Sequence, residues 1–489
     1  MFKLWPFNGG VHLPTHRQES STAPLSIAPL PQKLIYPLAR RNGRNAKSLV
    51  VPGERVLKGQ VIIPADGTMN PPVHAASSGW VSGIEQRLLP HPSGFSGSCV
   101  VIDGDGMDEA VAFQGVSNYA AMESDDLRGK IHAAGIVGLG GAGFPTAIKI
   151  NPPRQFNVEI LVLNGAECEP YISCDDSLLR HYAHEVLGGA LIFMHILRVA
   201  RCLLAVEEDM PEAIAALELA KAEAGYGHIE IVAIPAIYPT GGEKQLIKVL
   251  TGREVPADGI PAQVGVVCHN VATAAAVHKA ITAGEPLISR IVTVTGQGVR
   301  KPQNLLTRIG TPISELVEQC GGYTDSAQRL IMGGPMMGFA LASDDVPISK
   351  STNCILVAGQ AEVVGEKTPM PCIRCGACAT VCPVNLLPQQ LYWYSRASNL
   401  ERVMDYRLPD CIECGCCDVV CPSHIPLVQY FRAAKSKMAE KEKERLKADH
   451  ARMRYEARVA RKAQEQLEKA ESARRKKELL ATALSTSKS

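Results

Sequence analysis

The sequence has no long unbroken apolar run. Its most apolar segment, Val186–Val206, is interrupted by His195, Arg198 and Arg201. A bilayer span needs about 20 consecutive apolar residues, so this segment is expected as a buried helix. No secretory leader is expected either. Met1–Phe7 sets Phe2, Leu4, Trp5 and Phe7 around Lys3, a pattern that suits a membrane surface but is too short to weigh much, so a frayed or locally packed terminus is expected. Without a leader, the 16 cysteines point to the reducing cytoplasm and metal chemistry, not disulfides. A dominant charge sign is also missing, since the net charge is +2. That balance hides a basic segment: residues 435–478 carry 16 Lys/Arg against 9 Asp/Glu, a local +7. Apolar content is ample at 46%, enough for real cores in about three or four domains.

Half of the cysteines fall in two identical runs. The first is Cys372, Cys375, Cys378 and Cys382, followed by Pro383; the second is Cys411, Cys414, Cys417 and Cys421, followed by Pro422. Each reads C-x2-C-x2-C-x3-C-P, the run that holds [4Fe–4S] clusters in two-cluster ferredoxins. Three thiolates from one tight loop cap three irons of a cubane, and the fourth ligand comes from the other run. One cluster is therefore expected on Cys372, Cys375, Cys378 and Cys421. The other is expected on Cys411, Cys414, Cys417 and Cys382. A zinc ribbon uses two CxxC pairs and not runs of four ending in Cys-Pro. Cys416 fits no ligand slot, since its counterpart in the first run is Ala377.

Residues 1–30 read as an extended lead-in rich in Pro, Ser and Thr. From 31 to 110 short strands and turns alternate, including Leu49–Val51, Val56–Ile63 and Trp80–Ile84. Val51–Gln60 and Val73–Val81 resemble the barrel-sandwich domains of biotinyl and lipoyl carriers. Carriers place a modifiable Lys at the hairpin tip, where this chain has Ser77 and Ser78. The unit is read as a docking or structural module and not a swinging arm.

Residues 127–290 alternate helix and strand patterns and read as α/β. Asn157–Leu163 and His228–Ile234 are expected as strands and Pro211–Ala224 as an Ala-rich helix. The chemistry sits in Gly138–Leu139–Gly140–Gly141–Ala142–Gly143–Phe144–Pro145–Thr146, followed by Lys149. Four glycines let the backbone approach a ligand with no Cβ in the way. Pro145 suits the first turn of a helix whose N–H groups face a phosphate. A Rossmann fingerprint needs a strong strand first, and Lys130–Val137 is a poor one. The plain alternative is a turn that only permits close packing.

Gly-Gly-Ala-Gly-Phe-Pro-Thr, Lys149, Asn164 and Glu167 resemble the FMN- and NADH-binding subunit of respiratory complex I. Tyr238, Gly241 and Glu243 match its Tyr–x–x–Gly–Glu–Glu segment, and Asn270–Val271–Ala272–Thr273 its Asn–Val–Glu–Thr. The resemblance implies that Gly138, Gly140, Gly141, Gly143, Phe144 and Lys149 face the flavin. It implies polar contacts from Asn164, Glu167, Glu243, Asn270 and Thr273. Val137 and Leu139 depart from arginines of that family, Ala166 from an Asp and Gly242 from a Glu.

Residues 291–350 return to β character and resemble the soluble-ligand-binding β-grasp (SLBB) domain that follows the flavin domain in complex I. The double [4Fe–4S] ferredoxin part spans 364–432, with helices expected in the linker Asn385–Leu408. Residues 433–489 are expected as a charged helical or disordered tail. No aromatic–basic interleaving marks a nucleic-acid partner.

This multidomain α/β and α+β order is similar to that of the C subunits of Rnf/Rsx ion-translocating electron-transport complexes. The resemblance implies an NADH:acceptor oxidoreductase subunit, peripheral on the cytoplasmic face of the inner membrane. Electrons would pass between NAD(H) and ferredoxin-type partners through non-covalent FMN and two [4Fe–4S] clusters, coupled to ion movement. Integral-membrane subunits of the same complex are the expected partners. Two alternatives are a stand-alone soluble NADH-dependent iron–sulfur reductase and a flavin-free electron-transfer adaptor.

Overall fold

The computed structural model describes residues 2–40, 43–363 and 368–486. Segment 364–367, where the dicluster part is expected to begin, lies outside the described residues. The chain divides into two compact units. One holds 1–388 and 410–425; the other holds 389–409 and 426–489.

In the first unit the lead-in is more than an extended thread. It forms helix α1 (Gln18–Ser21) and strand β1 (Ser26–Ile27), and Phe2, Leu4 and Phe7 pack against an apolar core. The terminus is thus packed locally and not frayed.

The barrel-sandwich part contains β2 (Lys33–Pro37), β3 (Arg55–Val56), β4 (Val61–Ile63), β5 (Val73–His74), β6 (Gly79–Leu88) and β7 (Ser96–Gly104). They form a sheet in the order β2-β7-β6-β3 and a separate β4–β5 pair. Leu49–Val51, expected as a strand, forms none: Leu49 and Val51 are exposed and the chain turns at Pro52–Gly53. Val56–Ile63 splits into β3 and β4 because Gly59 takes a φ of +84° between them. Ser77 and Ser78 are buried and donate hydrogen bonds to Asp108 (2.8 Å) and Asp105 (2.6 Å). A residue held in that way cannot swing.

The α/β part begins with α2 (Ser124–Ala133) and α3 (Thr146–Lys149). It continues through β8 (Ile160–Gly165), α4 (Cys174–His181), α5 (Ala183–Leu197), β9 (Arg201–Glu207), α6 (Pro211–Ala224) and β10 (Ile229–Ile234). It closes with α7 (Glu243–Thr251), β11 (Val266–Asn270) and α8 (Val271–Thr282). Its four strands are all parallel, in the order β10-β9-β8-β11. The apolar run from Val186 is not one helix. Arg198 adopts a left-handed φ of +57°, which ends α5, and the remainder becomes the buried strand β9. α6 has the expected bounds, with Pro211 in its first turn and left-handed Gly225 closing it.

The β-grasp part contains β12 (Ser289–Thr295), β13 (Gln303–Arg308), α9 (Ile313–Gln319), β14 (Ala327–Met332), β15 (Phe339–Ala340) and β16 (Cys354–Gly359). β1 of the lead-in joins its edge, giving the order β1-β13-β12-β16-β14-β15. β16 runs beyond the expected limit of 350 and pairs with both β12 and β14. Its side chains are all buried, so it is a central strand.

After it come α10 (Ala377–Thr380), α11 (Pro388–Arg396), α12 (Leu400–Asp405), α13 (Cys416–Val419) and α14 (Leu427–Thr486). The second unit is thus helical. α11 and α12 are the expected linker helices, and Tyr392 stands edge-on to Tyr430 with ring centroids 5.0 Å apart. Most of α14 is exposed all round, laced by pairs such as Arg461–Glu465 and Arg474–Glu478. A helix polar on every face is supported by such i,i+4 pairs and not by packing. No helix among the described residues is long and apolar enough to cross a membrane.

Candidate functional site

β8 and β11 are neighbours whose last paired residues are Asn164 and Asn270. From β8 the chain moves to β9 and β10 on one side, then returns to place β11 on the other. That reversal opens a crevice at the carboxyl ends of β8 and β11, where open α/β sheets bind ligands.

The glycine loop lies over this crevice. It follows α2 and not a strand, which is why the Rossmann pattern fails. Its Leu139 N–H donates to Thr273 Oγ1 at 2.9 Å, and a Cβ on Gly140 would stand 3.2 Å from Asn270 Cβ. The loop closes on itself through Gly138 N–H to Phe144 O (2.7 Å) and Gly143 N–H to Gly138 O (3.2 Å). Gly141 and Gly143 take φ of +102° and +59°, which favours glycine. The N–H groups of Gly140 and Gly141 find no backbone acceptor among the described residues, and both glycines are exposed. Adjacent exposed amides in such a turn suit an anionic group. Helix α3 has only four residues, so the loop's own amides matter more than a helix dipole.

Around the loop, Asn270 Oδ1 accepts from Ala272 N–H (2.9 Å) and so caps α8. Its Nδ2 donates to Asn164 O (3.4 Å) and Asp175 Oδ2 (2.5 Å). Asn164 Nδ2 donates to Gly241 O at 2.9 Å. Lys149 and Glu243 form an ion pair at the mouth, both partly exposed. Phe144 is also partly exposed. The structure brings these residues together around the glycine loop. They fit a flavin phosphate in one respect, the adjacent exposed amides of Gly140 and Gly141 that no backbone carbonyl takes among the described residues. Val137 and Leu139 are sunk in the apolar core and offer it no charge.

Glu167 does not converge with them. Its carboxylate is buried and caps α4, accepting from Asp175 N–H (2.9 Å) and Asp176 N–H (3.1 Å), with the Cys174 thiol donating at 3.3 Å. Burial first, then the Asp175 charge, pushes the Glu167 pKa up, while Arg17 pulls it down. Burial also raises Asp175, against the hydrogen bond from Asn270 and the charge of Arg290. Glu167, Cys174 and Asp175 place ligand-type atoms within 4.8 Å of one another, yet the α4 amides already occupy the Glu167 oxygens. This is a helix cap.

The two cysteine runs repeat in backbone as well as in sequence. Arg374 and Glu413 have φ of +56° and +59°, Gly376 and Gly415 +83° and +81°, Asn385 and His424 +55° and +51°. Each pair is 39 residues apart, the offset of the cysteines themselves. Left-handed residues in a tight loop let successive N–H groups converge, as around many Fe–S sites. The runs also interlock. Val381, next to Cys382, packs against Cys414 and Cys416, so the end of the first run stands with the second. Met370 N–H donates to Ser423 O (2.9 Å) and Ser423 Oγ to Pro371 O (3.0 Å), tying the chain after Cys421 to the first run. The donor set of the two runs is all thiol, the chemistry that iron–sulfur clusters take.

Tyr238 joins the two centres. Its O–H donates to Cys414 O at 2.6 Å, and its backbone pairs with Val11 of the lead-in. Gly241, three residues on, holds Asn164 through its carbonyl and donates its N–H to Cys168 Sγ at 3.4 Å. Sequence reasoning flagged Tyr238 only as a motif match and missed Arg17, Asp175 and Arg290. Arg17 donates to Glu167 O (2.9 Å), Glu207 (2.5 Å) and Asp209 (2.8 Å), and Arg290 to Leu139 O (3.2 Å). A lone Arg in a Ser/Thr-rich lead-in carries no signal of such partners.

Four family models match along the chain. They are the RnfC barrel sandwich hybrid domain over 5–107 and the Nuo51 FMN-binding domain over 131–279. The SLBB domain matches 291–340 and the 4Fe–4S dicluster domain 371–425. Together they define an electron-transport protein that combines a flavin-type domain with a dicluster domain. The chain belongs to the family formed by the C subunits of ion-translocating oxidoreductase complexes. The Pseudomonas aeruginosa member is 49% identical over 94% of this chain and 59% of its own length. That from Serratia proteamaculans is 45% identical over 96% and 66%, and that from Yersinia pestis bv. Antiqua 45% over 95% and 74%. The chain thus spans about three fifths of the first of these relatives. A solved NAD+-reducing [NiFe]-hydrogenase chain is 20% identical with a TM-score of 0.45, covering 61% of this chain and 59% of that one.

Proposed function

We propose that the chain is the NADH:acceptor oxidoreductase subunit of an ion-translocating complex, exchanging electrons between NAD(H) and ferredoxin-type partners. It sits peripherally on the cytoplasmic face of the inner membrane, beside integral-membrane subunits. The parts used are those at 31–110, 127–290, 291–350 and 364–432, with 1–30 and 433–489 as flanks. What supports the reading is one continuous strip, from Asn164 through Gly241 and Tyr238 to Cys414, linking the glycine crevice to the second cysteine run. FMN supplies the conversion of a hydride's electron pair into single electrons, which two [4Fe–4S] clusters carry and nicotinamide cannot.

The chain's own residues hold these groups. Gly140 and Gly141 present amides to the flavin phosphate, while Gly138 and Gly143 close the loop behind it. Phe144 lies at its exposed edge. Lys149 offers a cation steadied by Glu243. Asn164 and Asn270 supply polar contacts, and Thr273 clamps the loop at Leu139. Glu167 acts at one remove, through α4, Asp175 and Asn270. Cys372, Cys375, Cys378 and Cys421 hold one cluster; Cys411, Cys414, Cys417 and Cys382 hold the other. A second reading, a flavin-free adaptor, is favoured by buried Val137 and Leu139 where the complex I subunit has arginines.

Anaerobic purification with iron, sulfide and flavin assays decides between them. About eight irons and one FMN, bleached by NADH, is the expected result. The same iron without flavin selects the adaptor. Zinc in place of iron defeats both.

A further inference from the structure

Among the positions at which the two cysteine runs differ, one sets a cysteine that fits no ligand slot against an alanine. Residue 377 is Ala and its counterpart, 39 residues on, is Cys416. Ala377 is half-buried, whereas Cys416 is wholly buried. Cys416 opens α13 directly after left-handed Gly415, between two expected ligands. Its side chain packs with Cys414 in one buried cluster, and the two thiols interact. It therefore sits against the sulfur of one expected ligand and next in sequence to another, Cys417. The wall behind is apolar: Tyr238, Cys414 and Cys416 pack with Val11, Leu13, Met336, Val381 and Ile412. The first run is opener, with Ile373 and Cys375 exposed.

We infer that Cys416 is a positioning residue whose S–H tunes the cluster held by Cys411, Cys414, Cys417 and Cys382. The inference rests on the proposed cluster assignment. A hydrogen bond to a ligand thiolate withdraws charge from the cluster and stabilises its reduced form, raising the potential. The effect is strongest where water does not compete, and this side chain is shut away from water. Tyr238 keeps the arrangement in place by holding the Cys414 carbonyl from the other side. The first run has Ala377, with no S–H, at the equivalent place, so the repeat yields two unequal electron carriers.

The experiment is a potentiometric titration of the anaerobic full chain, followed by electron paramagnetic resonance. Wild type, Cys416→Ala, Cys416→Ser and the mirror variant Ala377→Cys are compared. Cys416→Ala restores the first-run residue and is expected to lower the potential of one cluster only. The expected change is about tenfold in its reduced-to-oxidised ratio, about 59 mV for one electron. Cys416→Ser keeps a donor and stays within about a third of that shift. Ala377→Cys raises the potential of the other cluster, which keeps the test decisive if Cys416→Ala does not load. Both clusters present with unmoved potentials in Cys416→Ala and Ala377→Cys overturns the inference alone. Loss of one cluster in Cys416→Ser and Cys416→Ala, with Ala377→Cys unshifted, makes Cys416 a ligand and overturns it too. Wild-type protein without clusters removes the cluster assignment and this inference together.

Discussion

At the scale of single residues, Arg17 is the clearest case of a group whose role only the fold reveals. It is buried, and its guanidinium joins the lead-in to three acceptors of the α/β part. Burial pushes the partner Glu207 up to about pKa 7, although Arg17 itself pulls it down. Removing one member of a buried pair leaves a charge with no partner, at a cost of about 3–5 kcal/mol. Arg17→Met is expected to destabilise the chain by that order. The sign with pH follows. Glu207 has a folded pKa above its unfolded value, so its contribution is full below about 4.5 and is lost as pH rises toward about 7. Without Arg17 that folded value climbs further. The variant's deficit should therefore be smaller at pH 5 than at pH 8. Thermal midpoints of both proteins across that range check it, and a deficit independent of pH contradicts the pairing. The cysteine runs, by contrast, stand out in the sequence as a repeat, because thiolate spacing is dictated by cubane geometry, and the backbone repeats with them. Glu167 was half legible. Its place beside the crevice followed from the motif, but a carboxylate that caps a helix looks the same in sequence as one that meets a ligand.

At the scale of elements, local rules succeeded where the deciding interaction was local. Helix α6 ran from its Pro to its Gly as capping chemistry requires. They failed at Val186–Val206, where a left-handed Arg198 splits an apolar run into helix and strand. No periodicity announces that break, since both pieces are buried and apolar. The same holds for β1, a two-residue edge strand made by pairing with Leu305 and Leu306 far along the chain. The glycine loop lies between these cases: its freedom to turn was legible, and its seat on Thr273 and Asn270 was not. That seat yields a prediction. Gly140→Ala would set a Cβ 3.2 Å from Asn270 Cβ, 3.4 Å from Cγ and 3.5 Å from Nδ2. Asn270 cannot retreat freely, because it caps α8 and donates to Asp175. The loop must lift instead, by a few tenths of an ångström. Flavin content of purified Gly140→Ala should fall several-fold while iron content stays at the wild-type level. Equal loss of iron would mean that the loop supports the whole unit and not a ligand.

At the scale of the whole molecule, stability is distributed unevenly. The buried apolar clusters of the barrel, the α/β part and the β-grasp part all lie before residue 360. Along α14 the described residues beyond Met438 are exposed, apart from a partly buried Asp449. Their ion pairs are solvent-facing, and such pairs contribute little and are screened by salt. Almost no apolar area is withdrawn from water there, so almost no cooperative stability depends on it. A chain ending at Lys441 should therefore keep the thermal midpoint, iron content and flavin content of the longer chain. What it should lose is helical ellipticity. That lost ellipticity should already melt non-cooperatively in the longer chain, and well below its main transition, because a lone helix frays from its ends. Raising salt from about 0.05 M to about 0.5 M should lower the tail's helical signal and leave the main transition nearly unmoved, since screening weakens only the exposed pairs. A truncated chain that melts several degrees lower, or that loses iron, would show that the tail carries a packing role its exposure gives no sign of.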